Sequence, residues 1–428
     1  MIAALLALLA GGPERAAPLS AGVARAFQAR ETITAIEVHG NTATSDEEIR
    51  KLTGLAIGAP FAPSTVDDAT ARLEATRRFQ RVEVLKRYAS IADPGQILVV
   101  VIVDEGAVHI EMTGDPSHPT RVVRDRNLKL LFLPVVSHED GYGIAYGAQM
   151  TRRDPAGSQS RLSIPLTWGG DKRAAVEFDK ILDSVAVGRV LAGGSISRRT
   201  IPFFDQDDDR ARVWVRGERD VMPRLRVGGT AAFEHDAFAD ERDSFVQTGA
   251  DVTVDTRIDP ILPRNAVFVR AGVDRFAFGG GSARGSVNRL EVDARGYVGL
   301  FGQNILAVRG FRTDSDAPLT PYLKPLLGGL ANLRGFAAGT AAGDTLVATS
   351  AEVIVPLTSP LSIGKVGVSA FVDAATAYDK GSALADQTWK QGYGGGVWFT
   401  AAFLRLTVVV AHGRGSSTRA HVGANLSF

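Results

Sequence analysis

Cysteine is absent from all 428 residues. That excludes disulfides, thiolate metal sites and cysteine nucleophiles. No run of 18 or more apolar residues occurs, so no segment reads as a transmembrane helix. Histidine is scarce: seven residues are scattered, with none in H-E-x-x-H or other ligand spacing. A dominant charge sign is also missing. Lys and Arg number 48 against 47 Asp and Glu, and a net charge of +1 offers no basic field for nucleic acid. The glycine-rich stretches "GYGIAYG" and "GGGSARG" precede no helix, and no G-x-S-x-G elbow is present, so phosphate cradling and serine hydrolysis are not expected. No enzyme, no cofactor and no metal site is predicted.

What is there begins with an apolar start. "MIAALLALLAGG" has the length of a signal-peptide core followed by small residues, and residues 1–12 are expected to be a cleaved leader for export. Residues 13–31 carry no clear period and read as a linker. From residue 32 to 106 the text becomes ordered. "ITAIEVHGN" reads as a strand closed by a Gly-Asn turn. Ser45 with Glu48 three residues on forms a capping-box signature for a helix that stops at Gly54. A second helix places Val66, Ala69 and Leu73 on one face, with Arg77 and Arg78 in its last turn. Strands at 81–88 and 96–106 complete a β-α-α-β-β unit, a small α+β domain with its own core.

After a connector at 107–127 the pattern changes. Residues 128–428 show segments of roughly ten residues with alternating polarity, broken by Gly, Asp, Pro and Ser clusters. "RAHVGANLSF" puts Ala420, Val422, Ala424, Leu426 and Phe428 on one face, and Arg419, His421, Gly423, Asn425 and Ser427 on the other. In "FLRLTVVVAHG", Leu404, Leu406, Val408 and Val410 oppose Arg405 and Thr407. Apolar residues facing lipid and charges facing a polar lumen suit a transmembrane β-barrel. Counting the segments predicts sixteen antiparallel strands. One interruption, residues 314–343, is too long for a bare connection and is expected to be functional.

That interruption holds "GGLANLRGF", with Arg334 among small and apolar residues. In "TLVATSAEVIVPL" the outward parity is Val347, Thr349, Ala351, Val353 and Val355, which turns Glu352 inward. In "VGVSAFVDAATAYD" the outward parity is Val368, Ala370 and Val372, which turns Asp373 inward beside Phe371. A loop folded into the lumen would bring Arg334 to both acids, which a planar guanidinium can bridge. Gly335 is expected to permit the tight backbone there, and Phe336 to pack on the barrel wall.

These stretches together resemble the BamA/TamA superfamily of outer-membrane assembly factors, the bacterial surface antigen family. "VHGNTATSDEEI" and "VVVIVDEG" look like the bounds of a single POTRA domain, and "VDTRIDPILPRNA" is similar to the family's D-T-R-D-x-P-x-x-P motif. "GGLANLRGF" resembles the loop motif whose Arg reaches into the lumen; "AEVIVPL" and "FVDAATAY" resemble the strands supplying its acidic partners. "HVGANLSF" fits the terminal insertion signal, here His421, Gly423, Leu426 and Phe428. The resemblance spans about residues 33–428. It implies a POTRA domain in the periplasm and a sixteen-stranded barrel in the outer membrane of a Gram-negative cell. It further implies a role in inserting unfolded outer-membrane proteins, with outer-membrane lipid, client chains or a periplasmic partner as contacts. A transporter of the two-partner-secretion type and a passive pore are the competing expectations.

Overall fold

The computed structural model describes residues 31–426 apart from 42–43, 80, 91–92, 106–107, 113–119, 125–129, 183–185, 259–261, 280–284, 359–364 and 401–403. The expected leader, residues 13–30 of the expected linker, and Phe428 lie outside the described residues.

The N-terminal unit runs β1 (Thr32–His39), α1 (Asp46–Thr53), α2 (Thr65–Ala75), β2 (Arg81–Tyr88) and β3 (Gln96–Asp104). Its sheet order is β1-β3-β2, with β1 parallel and β2 antiparallel to β3. A register shift between Ile33 and Ala35 explains why Ile33, Ile36 and Val38 share one buried face despite mixed parity. Ser45 Oγ accepts the Glu48 N–H at 3.3 Å and Gly54 closes α1 at φ 67°. Only half of the capping box forms, because the Glu48 carboxylate is taken by Arg78 Nη1 at 2.6 Å. Val66, Ala69 and Leu73 of α2 are buried on the sheet. The helix stops earlier than expected: Thr76 caps it and Arg77 turns to φ 53°, so Arg77 and Arg78 lie beyond the last turn.

The segment expected as a connector carries a hairpin, β4 (Val108–Met112) and β5 (Thr120–Arg124). Sixteen antiparallel strands then close a barrel. The first eight are β6 (Leu130–Glu139), β7 (Gly143–Arg153), β8 (Ser160–Gly169), β9 (Lys172–Ile181), β10 (Arg189–Ile201), β11 (Gln206–Met222), β12 (Leu225–Phe238) and β13 (Glu241–Asp255). Next come β14 (Ala266–Phe278), β15 (Ser286–Gly299) and β16 (Ile305–Ser315). After a long loop holding the two-residue strands β17 (Leu326–Leu327) and β18 (Ala341–Ala342), the barrel resumes with β19 (Thr345–Thr358) and β20 (Lys365–Tyr378). It ends with β21 (Lys390–Thr400), β22 (Leu404–Gly413) and β23 (Thr418–Leu426).

Side-chain parity follows the two solvents. On β11 Val213 and Val215 are exposed on the outside, while Arg216 points inward and donates to Asp251 Oδ2 at 2.6 Å. Arg295 and Arg309 converge on Asp293 in the same way. These interior charges are paired within and across strands, which suits a polar lumen.

The N-terminal domain lies across one mouth of the barrel, the proximal rim. Asp104 pairs with Arg153 at the end of β7 at 2.6 Å. On the far side of the ring, the Arg264 guanidinium stacks over Tyr88 at 5.6 Å, Gln303 donates to the Ser90 carbonyl, and Ile258 packs on the domain core. These contacts reach turns on opposite sides of the barrel.

Closure of the ring is uneven. Within the described residues β23 pairs with β6 at three positions, Ala424–His138, Asn425–Ser137 and Leu426–Val136. The neighbouring ladders, β22–β23 and β6–β7, run through nine and ten.

Candidate functional site

The loop between β16 and β19, residues 316–344, leaves the distal rim and folds back into the lumen. Its first part is anchored by apolar contact. Leu319, Tyr322 and Leu323 enter a cluster with Ile201, Phe238, Phe245 and Phe276. Tyr322 stacks on Phe245 at 6.4 Å and donates from Oη to Asp243 Oδ2 at 2.7 Å. Burial, foremost, and the neighbouring carboxylate push the Tyr322 phenol above its ordinary range, so it stays a donor. At the loop's end Asp344 is buried and accepts the Leu319 and Lys380 N–H groups at 2.8 and 2.9 Å.

The turn that carries Arg334 is built locally. Asn332 Oδ1 accepts the Gly328 N–H at 2.8 Å and its Nδ2 donates to the Leu326 carbonyl at 2.9 Å, closing the turn on itself. Leu333 and Phe336 flank the arginine and are buried with Leu327, Leu346, Ala348 and Ala375. Two apolar neighbours thus press the turn onto the wall and leave the guanidinium only one direction.

Arg334 reaches Asp373 through Nε and Nη2 at 2.8 and 2.7 Å, Glu352 through Nη1 at 2.8 Å, and Ser350 Oγ through Nη2 at 3.0 Å. Its backbone N–H adds a third bond to Asp373 at 3.0 Å. The guanidinium lies 3.3 Å from the Phe371 ring centre, so a cation–π contact covers one face. Burial works against its charge, but the Asp373 and Glu352 carboxylates prevail and hold Arg334 more firmly protonated than usual. The arrangement can bind, orient and release a loop.

Glycine is required where the loop touches the wall. Gly335 sits at φ 91°, and a Cβ there would come within 2.7 Å of the Gly413 and His412 backbone. A Cβ at Gly392 on β21 would lie 1.9 Å from the Arg334 carbonyl oxygen.

The structure thus brings Arg334, Gly335, Phe336, Glu352 and Asp373 together. Sequence reading missed two partners. Ser350 shares the inward parity of Glu352 and could have been found from it. His421, assigned to the terminal signal, is buried and accepts the Gly335 N–H on Nε2 at 2.9 Å. Its Nδ1 faces Asp140 Oδ2 at 2.5 Å in the β6–β7 turn. That bond, chiefly, holds the Asp140 carboxyl below its usual range against the opposing effect of burial. Of the other terminal residues, Gly423 leaves room for Leu330, whose Cδ1 would lie 2.9 Å from a Cβ. Leu426 pairs by backbone with Leu404 and Val136.

A family model described as the Omp85 superfamily domain matches residues 200–419, which include the loop and its acidic partners. The chain belongs to the Omp85 superfamily. A POTRA model, described as surface antigen variable number repeat, matches residues 31–106, the β-α-α-β-β unit. Omp85 barrels are outer-membrane proteins, and their POTRA domains are periplasmic. Among solved structures the chain is similar to BamA from Haemophilus ducreyi lacking POTRA domains 1–3, at 16% identity and TM-score 0.58, covering 93% of this chain and 84% of that one. It is also similar to CdiB from Escherichia coli, at 12% identity and TM-score 0.53, covering 98% and 93%. At these identities both show a shared fold. No curated protein sequence matches the chain.

Proposed function

We propose that this Omp85 barrel is an outer-membrane assembly factor that takes unfolded outer-membrane chains at its periplasmic POTRA domain and delivers them to the membrane through the β6–β23 seam. The observation that supports this reading is the contrast between a lumen covered at both ends and a wall that, among the described residues, pairs at three positions where it closes. A polypeptide path through the wall needs only a short ladder to part. The edges it frees can template a new strand by β-augmentation. On β6 the outward residues Leu130, Phe132 and Val136 are exposed, which places apolar surface next to lipid at that edge. The POTRA sheet offers two edges, β1 and β2, to an extended client or a periplasmic partner. A docked Arg334 loop opposes a passive pore.

The test uses the full chain in liposomes with an unfolded outer-membrane barrel as client. Faster client folding than in empty liposomes is expected, and a disulfide engineered across β6 and β23 should abolish the gain. Passage of one dedicated chain into the vesicle without faster folding would instead identify a transporter. Ion conductance with neither effect would identify a pore.

A further inference from the structure

We propose that His421 couples docking of the loop to closure of the β6–β23 seam, so that the two open and close as one unit. This coupling needs no client and is independent of what the barrel delivers.

One imidazole holds three pieces of chain. Gly335 N–H can only donate, so the His421 Nε2 that receives it carries a lone pair. The ring proton is therefore on Nδ1, where it is donated to Asp140. His421 belongs to β23, Asp140 to the turn that follows β6, and Gly335 to the loop. The two bonds use both nitrogens of the neutral ring, in one tautomer and one orientation.

The remaining side of the triangle joins the loop to the first hairpin. Asp140 Oδ2 lies against the loop backbone, so close that a Cβ at Gly329 would meet it at 2.9 Å. The Leu330 side chain packs on Phe371, Val409 and Ala411 and fills the space left by Gly423 of β23. Gly141 lies so close to Ala338 of the loop that a Cβ would approach its Cβ at 2.6 Å. Across the seam, His138 Nδ1 bonds the Val422 carbonyl at 2.7 Å, next to His421.

Parting the seam alone would pull Asp140 from His421. Releasing the loop alone would leave the His421 Nε2 lone pair without its donor on the barrel wall. Each separate opening leaves a buried polar group unmatched, which is the costly way to lose a hydrogen bond. Opening both together exposes all of these groups to water at once. Arg334 lies one residue from Gly335 and touches neither seam strand, so it supplies an independent handle on the loop.

The experiment places the full chain in lipid vesicles with two spin-label pairs measured in separate samples. One pair, at Ile144 and Val410, flanks the seam on the outer face; the other, at Ala331 and Ser382, reports the loop. Wild type should give one short distance for each. His421→Phe should raise the open population of both pairs, about tenfold for the loss of one buried hydrogen-bonding group. Arg334→Ala should also move both, although its side chain is remote from the seam. Asp140→Ala should behave like His421→Phe, whereas Asp140→Asn, which keeps an acceptor oxygen for Nδ1–H, should stay near wild type. Heat-modifiable migration checks that each barrel has folded, and if His421→Phe does not assemble, Asp140→Ala and Arg334→Ala carry the test. The proposal is overturned if Arg334→Ala frees the loop while the Ile144–Val410 distance is unchanged, or if Asp140→Ala leaves both pairs at wild type.

Discussion

Arg334 concentrates four side-chain bonds and an aromatic face on one guanidinium, with its side chain 11% exposed and that of Asp373 2% exposed. Removing the cation leaves Asp373 buried with no matching charge, which costs about 3–5 kcal/mol for a buried pair. Water reaching Glu352, whose side chain is 25% exposed, lowers that share of the loss toward the roughly 1 kcal/mol of exposed pairs. Arg334→Ala is therefore expected to free the loop, read as protease nicking of residues 316–344 in intact membranes. Arg334→Lys should nick at an intermediate rate, because a point charge cannot bridge Asp373 and Glu352 as a planar fork does. Equal nicking of Arg334→Ala, Asp373→Ala and wild type would refute the docked loop. Gly335→Ala should nick as fast as Arg334→Ala without touching any charge, since its Cβ meets backbone that cannot yield. The inward directions of Glu352 and Asp373 were legible because strand parity fixes them. His421 was not. Its partner is a backbone N–H 86 residues away, and no local pattern marks an acceptor for it.

At the scale of elements, strands and helices were legible wherever a period ran long enough, and their ends were not. The barrel strands alternate, and each parity meets a different solvent. The bulge in β1 and the early stop of α2 depend on single residues adopting unusual backbone. The loop has two independent anchors, and only the second was foreseen. Leu319, Tyr322 and Leu323 find partners on β10, β12, β13 and β14, so their neighbours in sequence say nothing about their burial. Tyr322→Ala should release the first part of the loop. Nicking is expected at 316–325 while the Arg334 turn stays protected. Tyr322→Phe, which removes only the bond to Asp243, should lose about 1–3 kcal/mol and nick less. Nicking spread evenly over 316–344 in Tyr322→Ala would show that the anchors are not separate.

At the scale of the molecule the two covers stand in series. The loop is anchored across the distal mouth and the N-terminal domain contacts opposite sides of the proximal one. The existence of both units was legible from their different periods. Their packing was not, because Arg153, Arg264, Gln303 and Ile258 are rim and turn residues outside any repeat. The domain has its own buried core, and among the described residues no barrel ladder draws a strand from it, so a chain lacking residues 32–106 should still fold as a heat-modifiable barrel. Conductance in planar bilayers then separates the covers. For barriers in series the total is set by whichever remains. Deleting 32–106 alone should leave conductance low because the loop still blocks the lumen, and Arg334→Ala alone should leave it low because the domain still spans the mouth. The combined variant should conduct far more than the sum of the two. A single deletion that conducts as well as the combined variant would mean the loop is no barrier, and Arg334→Ala conducting as well as the combined variant would mean the domain does not cover the mouth.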